Sequence, residues 1–112
     1  MCELNFNVKN QKLTKTGNFS GIVKGSKQYL KCKFITEGID WNGSKMIAVF
    51  WNNKNSKYVV QVIAGECVVP DEVTKSTNFK MKLIGVNGDI RIVTNSVLIN
   101  QEVQYGQFRR CD

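Results

Sequence analysis

Apolar residues recur at every second position through most of this chain, and no window carries the i, i+3, i+4, i+7 spacing of an amphipathic helix for three turns. This period constrains the fold more than any other feature, because successive side chains of a strand point to opposite faces, so that one face can be buried while the other meets water. Leu4, Phe6 and Val8 alternate with Glu3, Asn5 and Asn7, and Leu30, Cys32 and Phe34 alternate with Lys31 and Lys33. Residues 45–51 are apolar on both faces, which places that strand centrally. Turn-forming pairs punctuate the pattern at Asn10-Gln11, Asn42-Gly43, Ala64-Gly65 and Asn87-Gly88, the last being the strongest hairpin signal in the chain. Polar residues 52–56 form a further hairpin connection. Pro70 ends a strand because it cannot donate to a ladder, and Asp71-Glu72-Val73 is expected to form one helical turn.

Roughly eight strands separated by turns every 8–12 residues predict an all-β fold, a β-sandwich or a small barrel. At 112 residues the chain fits one domain, residues 1–112, with a core of its own, and no linker or repeat divides it. The side chains expected inside are Leu30, Cys32, Phe34, Ile47, Val49, Val60, Val62, Phe79, Met81, Leu83, Ile90 and Ile92. An immunoglobulin-type Cys, Trp, Cys arrangement is not met, since Trp41 follows Cys32 too closely and Cys67 comes too early. An immunoglobulin-like core would therefore be closed by packing and not by a disulfide.

Little in the sequence supports catalysis. The chain has no histidine, which removes the commonest general base and most zinc sites. No serine sits in a Gly-x-Ser-x-Gly elbow, and no glycine loop leads into a helix where phosphate could bind. Cys2, Cys32, Cys67 and Cys111 form no CxxC pair; Cys32 and Cys67 read either as a disulfide or, more simply, as two buried thiols on strand faces. Asp40-Trp41-Asn42-Gly43 superficially resembles a calcium loop but lacks the spaced ligands and closing glutamate. No enzyme activity, cofactor or metal is expected. The N-terminus shows no secretory pattern, the longest apolar stretch falls far short of a membrane span, and a reducing cytosol is the expected place of synthesis.

Sixteen lysines and arginines against nine acids give a formal charge of +7. Clustered cations would point to nucleic acid, but these lysines are dispersed from Lys9 to Lys82 and Arg109-Arg110 is the only basic doublet. A lysine-rich sheet surface that guards strand edges is the simpler reading. Trp51, Tyr58, Phe79 and Tyr105 have lysine, arginine or asparagine nearby, so an open barrel binding single-stranded nucleic acid stands as the alternative. Phe34, Phe50, Tyr58 and Phe79, however, lie in phase with aliphatic neighbours and read as core. Candidate partner contacts are Trp41 and Trp51, which flank one strand and either cap the sandwich or anchor a subunit contact, and Gln107, Phe108, Arg109 and Arg110 in the basic tail, residues 104–112.

Asp40-Trp41-Asn42-Gly43, followed by Lys45-Met46-Ile47-Ala48-Val49-Phe50, gives the chain a specific likeness. It resembles small immunoglobulin-like β-sandwich domains in virion proteins of tailed bacteriophages, in which a D-W-(D/N)-G turn leads into a strand ending in an aromatic residue. The segment Glu66-Cys67-Val68-Val69-Pro70-Asp71-Glu72-Val73 and the Thr94-Asn95 step after Arg91-Ile92-Val93 extend the likeness over residues 28–100. The resemblance implies a non-enzymatic virion structural protein made in the bacterial host cytoplasm. A capsid accessory, decoration or head-fibre-type role is preferred over a tail or baseplate role. Partners would be other capsid or tail subunits, with a homo-oligomer or lattice-bound state expected and no membrane contact.

Overall fold

The computed structural model describes residues 1–103, so the candidate contacts Gln107, Phe108, Arg109 and Arg110 lie outside the described residues. Nine strands follow one another as β1 (Cys2–Lys9), β2 (Lys12–Thr16), β3 (Leu30–Glu37), β4 (Lys45–Trp51), β5 (Lys57–Val62), β6 (Glu66–Val68), β7 (Asn78–Asn87), β8 (Ile90–Val93) and β9 (Val97–Asn100). A 3-10 turn at Ile39–Trp41 precedes β4, and a single helical turn, α1 (Asp71–Thr74), follows Pro70. Sheet I has the order β2-β1-β3-β6; sheet II has the order β5-β4-β7-β8, with β9 also paired to β7. The fold is an all-β sandwich. Among the described residues the strands pair antiparallel except β1–β3, which runs parallel with Phe6 beside Phe34, and an isolated parallel bridge joins Val23 to Glu102.

The alternation read from the sequence builds the core directly. Leu4, Phe6 and Val8 of β1, Leu13 of β2, and Leu30, Cys32 and Phe34 of β3 face Phe50, Phe79, Met81, Leu83, Ile92 and Ile99 of sheet II. Rings of Phe6 and Phe34 stack at 5.3 Å, and Phe19 meets Phe6 edge-on at 5.4 Å. Burying each such ring contributes roughly 1.5–3 kcal/mol from area alone.

Three expected core residues, Ile47, Ile90 and Val60, depart from the expectation. In β4 the side chains that enter the central core are Met46, Ala48 and Phe50, so Ile47 points to the outer face of sheet II and is only half-buried; Val49 shares that face but is buried as expected, at 1% exposure. With apolar residues on both faces of that strand, hydrophobicity cannot choose its phase. Ile90 shares a face with Ile92 but sits beside the Gly88–Asp89 turn and is 48% exposed. Val60 is half-buried and packs against the core rim.

Strands β8 and β9 lie along the same edge of β7 but one residue out of register: Ile84 pairs with Val93, whereas Met81 pairs with Val97. The extra residue falls at the Thr94-Asn95 break. Thr94 spans the gap, its N–H donating to Leu83 O at 3.1 Å and its hydroxyl accepting from Leu83 N–H at 3.0 Å. This is how a bulge absorbs one residue without leaving β7 unpaired.

Candidate interaction surface

The Trp41 ring is an internal plug. Its Nε1–H donates to Asn10 O at 2.8 Å, and the residue is 4% exposed. The ring lies against Gly85, where a Cβ would come within 2.6 Å of it, so β7 carries a glycine opposite the indole. Around it, Ser44 Oγ donates to Trp41 O at 2.8 Å and Asn87 Nδ2 donates to Asn42 O at 3.0 Å. Of the two roles open to Trp41, the geometry gives capping the end of the sandwich; as a partner contact it is corrected, because its ring does not reach the surface.

Trp51 lies elsewhere. It is half-buried on the outer face of sheet II, with Lys82 Nζ 5.4 Å from its ring centroid. Register places side chains from five strands in rows across this face: Gln61, Ile47, Ile84 and Val93 in one; Val59, Val49 and Lys82 in the next; Lys57, Trp51, Lys80 and Leu98 in a third. Beyond the first row lie Lys45, Val86 and Arg91. The apolar members are in part open to solvent, with Val59 55% and Val86 and Leu98 each 44% exposed.

The outward positions of sheet II include five cations, Lys45, Lys57, Lys80, Lys82 and Arg91, and no carboxylate. None of the five joins an ion pair among the described residues. The outer face of sheet I is built differently. Lys31 lies 3.9 Å from Glu3 and 3.1 Å from Glu66, and Lys33 lies 3.7 Å and 4.0 Å from the same two carboxylates. Lys9, Lys12 and Glu37 complete the charges there, so that face is close to neutral. Dispersed in sequence, the excess positive charge is concentrated in space.

Single-sequence reading finds these lysines only as the wet side of separate strands; the cross-strand register brings them together. The sequence signal was the alternation of Lys80 and Lys82 with Phe79, Met81 and Leu83.

Cys32 and Cys67 are direct cross-strand partners, both buried and both free thiols. A hydrogen bond that the Cys32 S–H shares with the neighbouring Cys67, together with burial, pushes the Cys32 thiol well above its usual range, so it stays protonated. Among the described residues, no group of three or more His, Cys, Asp or Glu side chains could hold a metal ion. No helix among them is long and apolar enough to cross a membrane. A hollow of about 410 Å³ opens beside Trp41, where Asp40 and Arg91 contribute exposed, opposite charges. No protein-family model and no curated protein matches the chain.

Proposed function

We propose that this chain is a non-catalytic assembly module that docks on an acidic surface of a larger protein assembly through the outer face of sheet II. The observation that carries this reading is the asymmetry between the two faces. One has its cations matched by Glu3 and Glu66; the other sets five unmatched cations around Ile47, Val59, Trp51 and Leu98. An apolar field that includes a tryptophan and is interspersed with cations has the anatomy of a protein-binding patch. Complementary charge on the partner would steer encounter and fix orientation. The likeness to bacteriophage virion domains suggests the setting: a capsid accessory or decoration protein, with a tail or baseplate component as the second placement.

Lysine-directed cross-linking of purified particles tests this reading. The expected result is cross-links from Lys57, Lys80 and Lys82 to a neighbouring subunit, with Lys31 and Lys33 much less represented. Particles lacking the protein, or links confined to the sheet I lysines, would overturn it.

The same cations, together with the Lys82–Trp51 pair, support single-stranded nucleic acid as the second reading. It is weakened by the placement of Phe6, Phe34, Phe50, Phe79 and Trp41 inside the sandwich, which leaves Trp51 as the ring best placed for a base to stack on that face. Titration with an oligonucleotide at two salt concentrations separates the readings, because phosphate contacts make log K fall steeply with log[salt].

A further inference from the structure

A sheet edge presents a row of backbone N–H and C=O groups that must bond to something, and in this sandwich most edges are already occupied. On β2, both backbone groups of Leu13 are taken by the Asn95 side chain. Gln11 Nε2 donates to Val93 O on β8, and Lys15 Nζ donates to Leu98 O on β9. On β6, the N–H and C=O of Glu66 exchange bonds with Ile63 at 3.0 Å each. One edge differs. Asn52 N–H donates to Ser56 O, so in the alternating antiparallel pattern Tyr58, Val60 and Val62 are the residues that bond β4. Lys57, Val59 and Gln61 therefore turn their backbone groups away from the sheet, and no hydrogen bond among the described residues reaches them.

We infer that β5 pairs antiparallel with β5 of a second copy of this chain about a two-fold axis at Val59. In this register Val59 meets Val59 of the other copy, Lys57 meets Gln61, and Tyr58 meets Val60. Each outward-turned residue then exchanges both backbone bonds with its opposite, and no lysine faces a lysine directly. The neighbouring registers are poorer. Sliding by two in one direction requires the backbone groups of Ile63, which Glu66 already holds; sliding the other way requires Asn55, whose φ of 63° belongs to the hairpin turn. The side chains agree with the backbone: Val59 is 55% exposed, and Tyr58 and Val60 are half-buried at the core rim. A second copy would cover all three. The two sheets II would join into one continuous sheet, doubling the cationic face. The pairing does not depend on what that face binds.

Sedimentation equilibrium of the 112-residue chain, from low micromolar to several hundred micromolar, tests the inference. The mass is expected to rise with concentration from 12.7 kDa toward twice that value. Val59→Lys, which sets two ammonium groups face to face, should be a monomer over the whole range with an unchanged circular dichroism spectrum. Val59→Pro removes the outward N–H at the axis, where an edge strand tolerates proline, and should behave alike. A wild-type chain that stays monomeric, as it would if the edge served a peptide from another protein, overturns the inference. So does a dimer that survives Val59→Lys. Neither result bears on the acidic-partner reading, which is measured on particles and not on the isolated chain.

Discussion

The side chain of Asn95 holds both backbone groups of Leu13, accepting its N–H at 2.7 Å and donating to its carbonyl at 3.0 Å. An amide side chain thus stands in for a missing strand at the edge of sheet I. The clasp also ties the two sheets together, since Asn95 belongs to the bulge between β8 and β9 of sheet II. The one-residue slip in register is what frees Asn95 to reach across. Replacing it with alanine leaves two backbone groups without partners, and the expected loss is about 1–3 kcal/mol. Urea unfolding would show it as a lower midpoint with an unchanged slope. Asn95→Asp should recover only part of the loss, because a carboxylate accepts from Leu13 N–H but cannot donate to its carbonyl.

Trp41 and Gly85 form the second coupled pair. Gly85→Ala places a Cβ where the indole already stands, an overpacking expected to cost roughly 1–3 kcal/mol. The conflict is specific to the ring. A smaller side chain at position 41 loses packing by itself but makes room for the added methyl, so Gly85→Ala should be less damaging in Trp41→Phe than in the wild type. Additive losses in that double-mutant cycle would show that the ring and the glycine are not in conflict.

Phe50 and Ile47 lie on the same strand three residues apart and should respond to truncation very differently. Phe50 is fully buried against Phe79, with ring centroids 6.1 Å apart, whereas Ile47 faces outward and is only half-buried. Phe50→Ala and Phe79→Ala are each expected to cost about 3–5 kcal/mol. Ile47→Ala should fall well below them, and thermal melts of the three variants would rank them. Equal losses at positions 47 and 50 would mean that the strand faces the other way.

These cases show where the fold was legible in the residues. β1 and β3 have one apolar face each, so alternation sets their phase: Leu30 and Phe34 lie inside as expected, and Leu4 and Phe6, absent from the expected core, follow the same rule. In β4 both faces are apolar, and choosing between Ile47 and Phe50 required knowing what lies across the sandwich. The turns at Asn10-Gln11 and Asn87-Gly88 announced themselves by composition, and Pro70 with Asp71-Glu72 marked the helical turn. The Asn95 clasp did not, because it joins residues 82 positions apart through one side chain. The cationic face was hidden for the same reason: Lys45, Lys57, Lys80 and Arg91 become neighbours only through cross-strand register.

The buried thiol pair makes the stability of the sandwich sensitive to alkaline pH. Hydrogen bonding to Cys67 and desolvation hold Cys32 protonated in the folded state above the range in which the unfolded thiol ionises, near pH 9. Above that pH the unfolded chain binds fewer protons than the folded one, so the contribution is fully present below about pH 9 and is lost as pH rises. A single thiol held protonated gives a slope approaching about 1.4 kcal/mol per pH unit between its unfolded and folded values. Cys32→Val removes the titrating group while filling the site with an apolar side chain. The drop in urea midpoint between pH 7 and pH 10 should therefore be smaller in the variant than in the wild type. All other residues are common to both chains, so their contributions cancel in the comparison. Equal drops would place the Cys32 thiol in contact with solvent, contrary to its burial between β1 and β6.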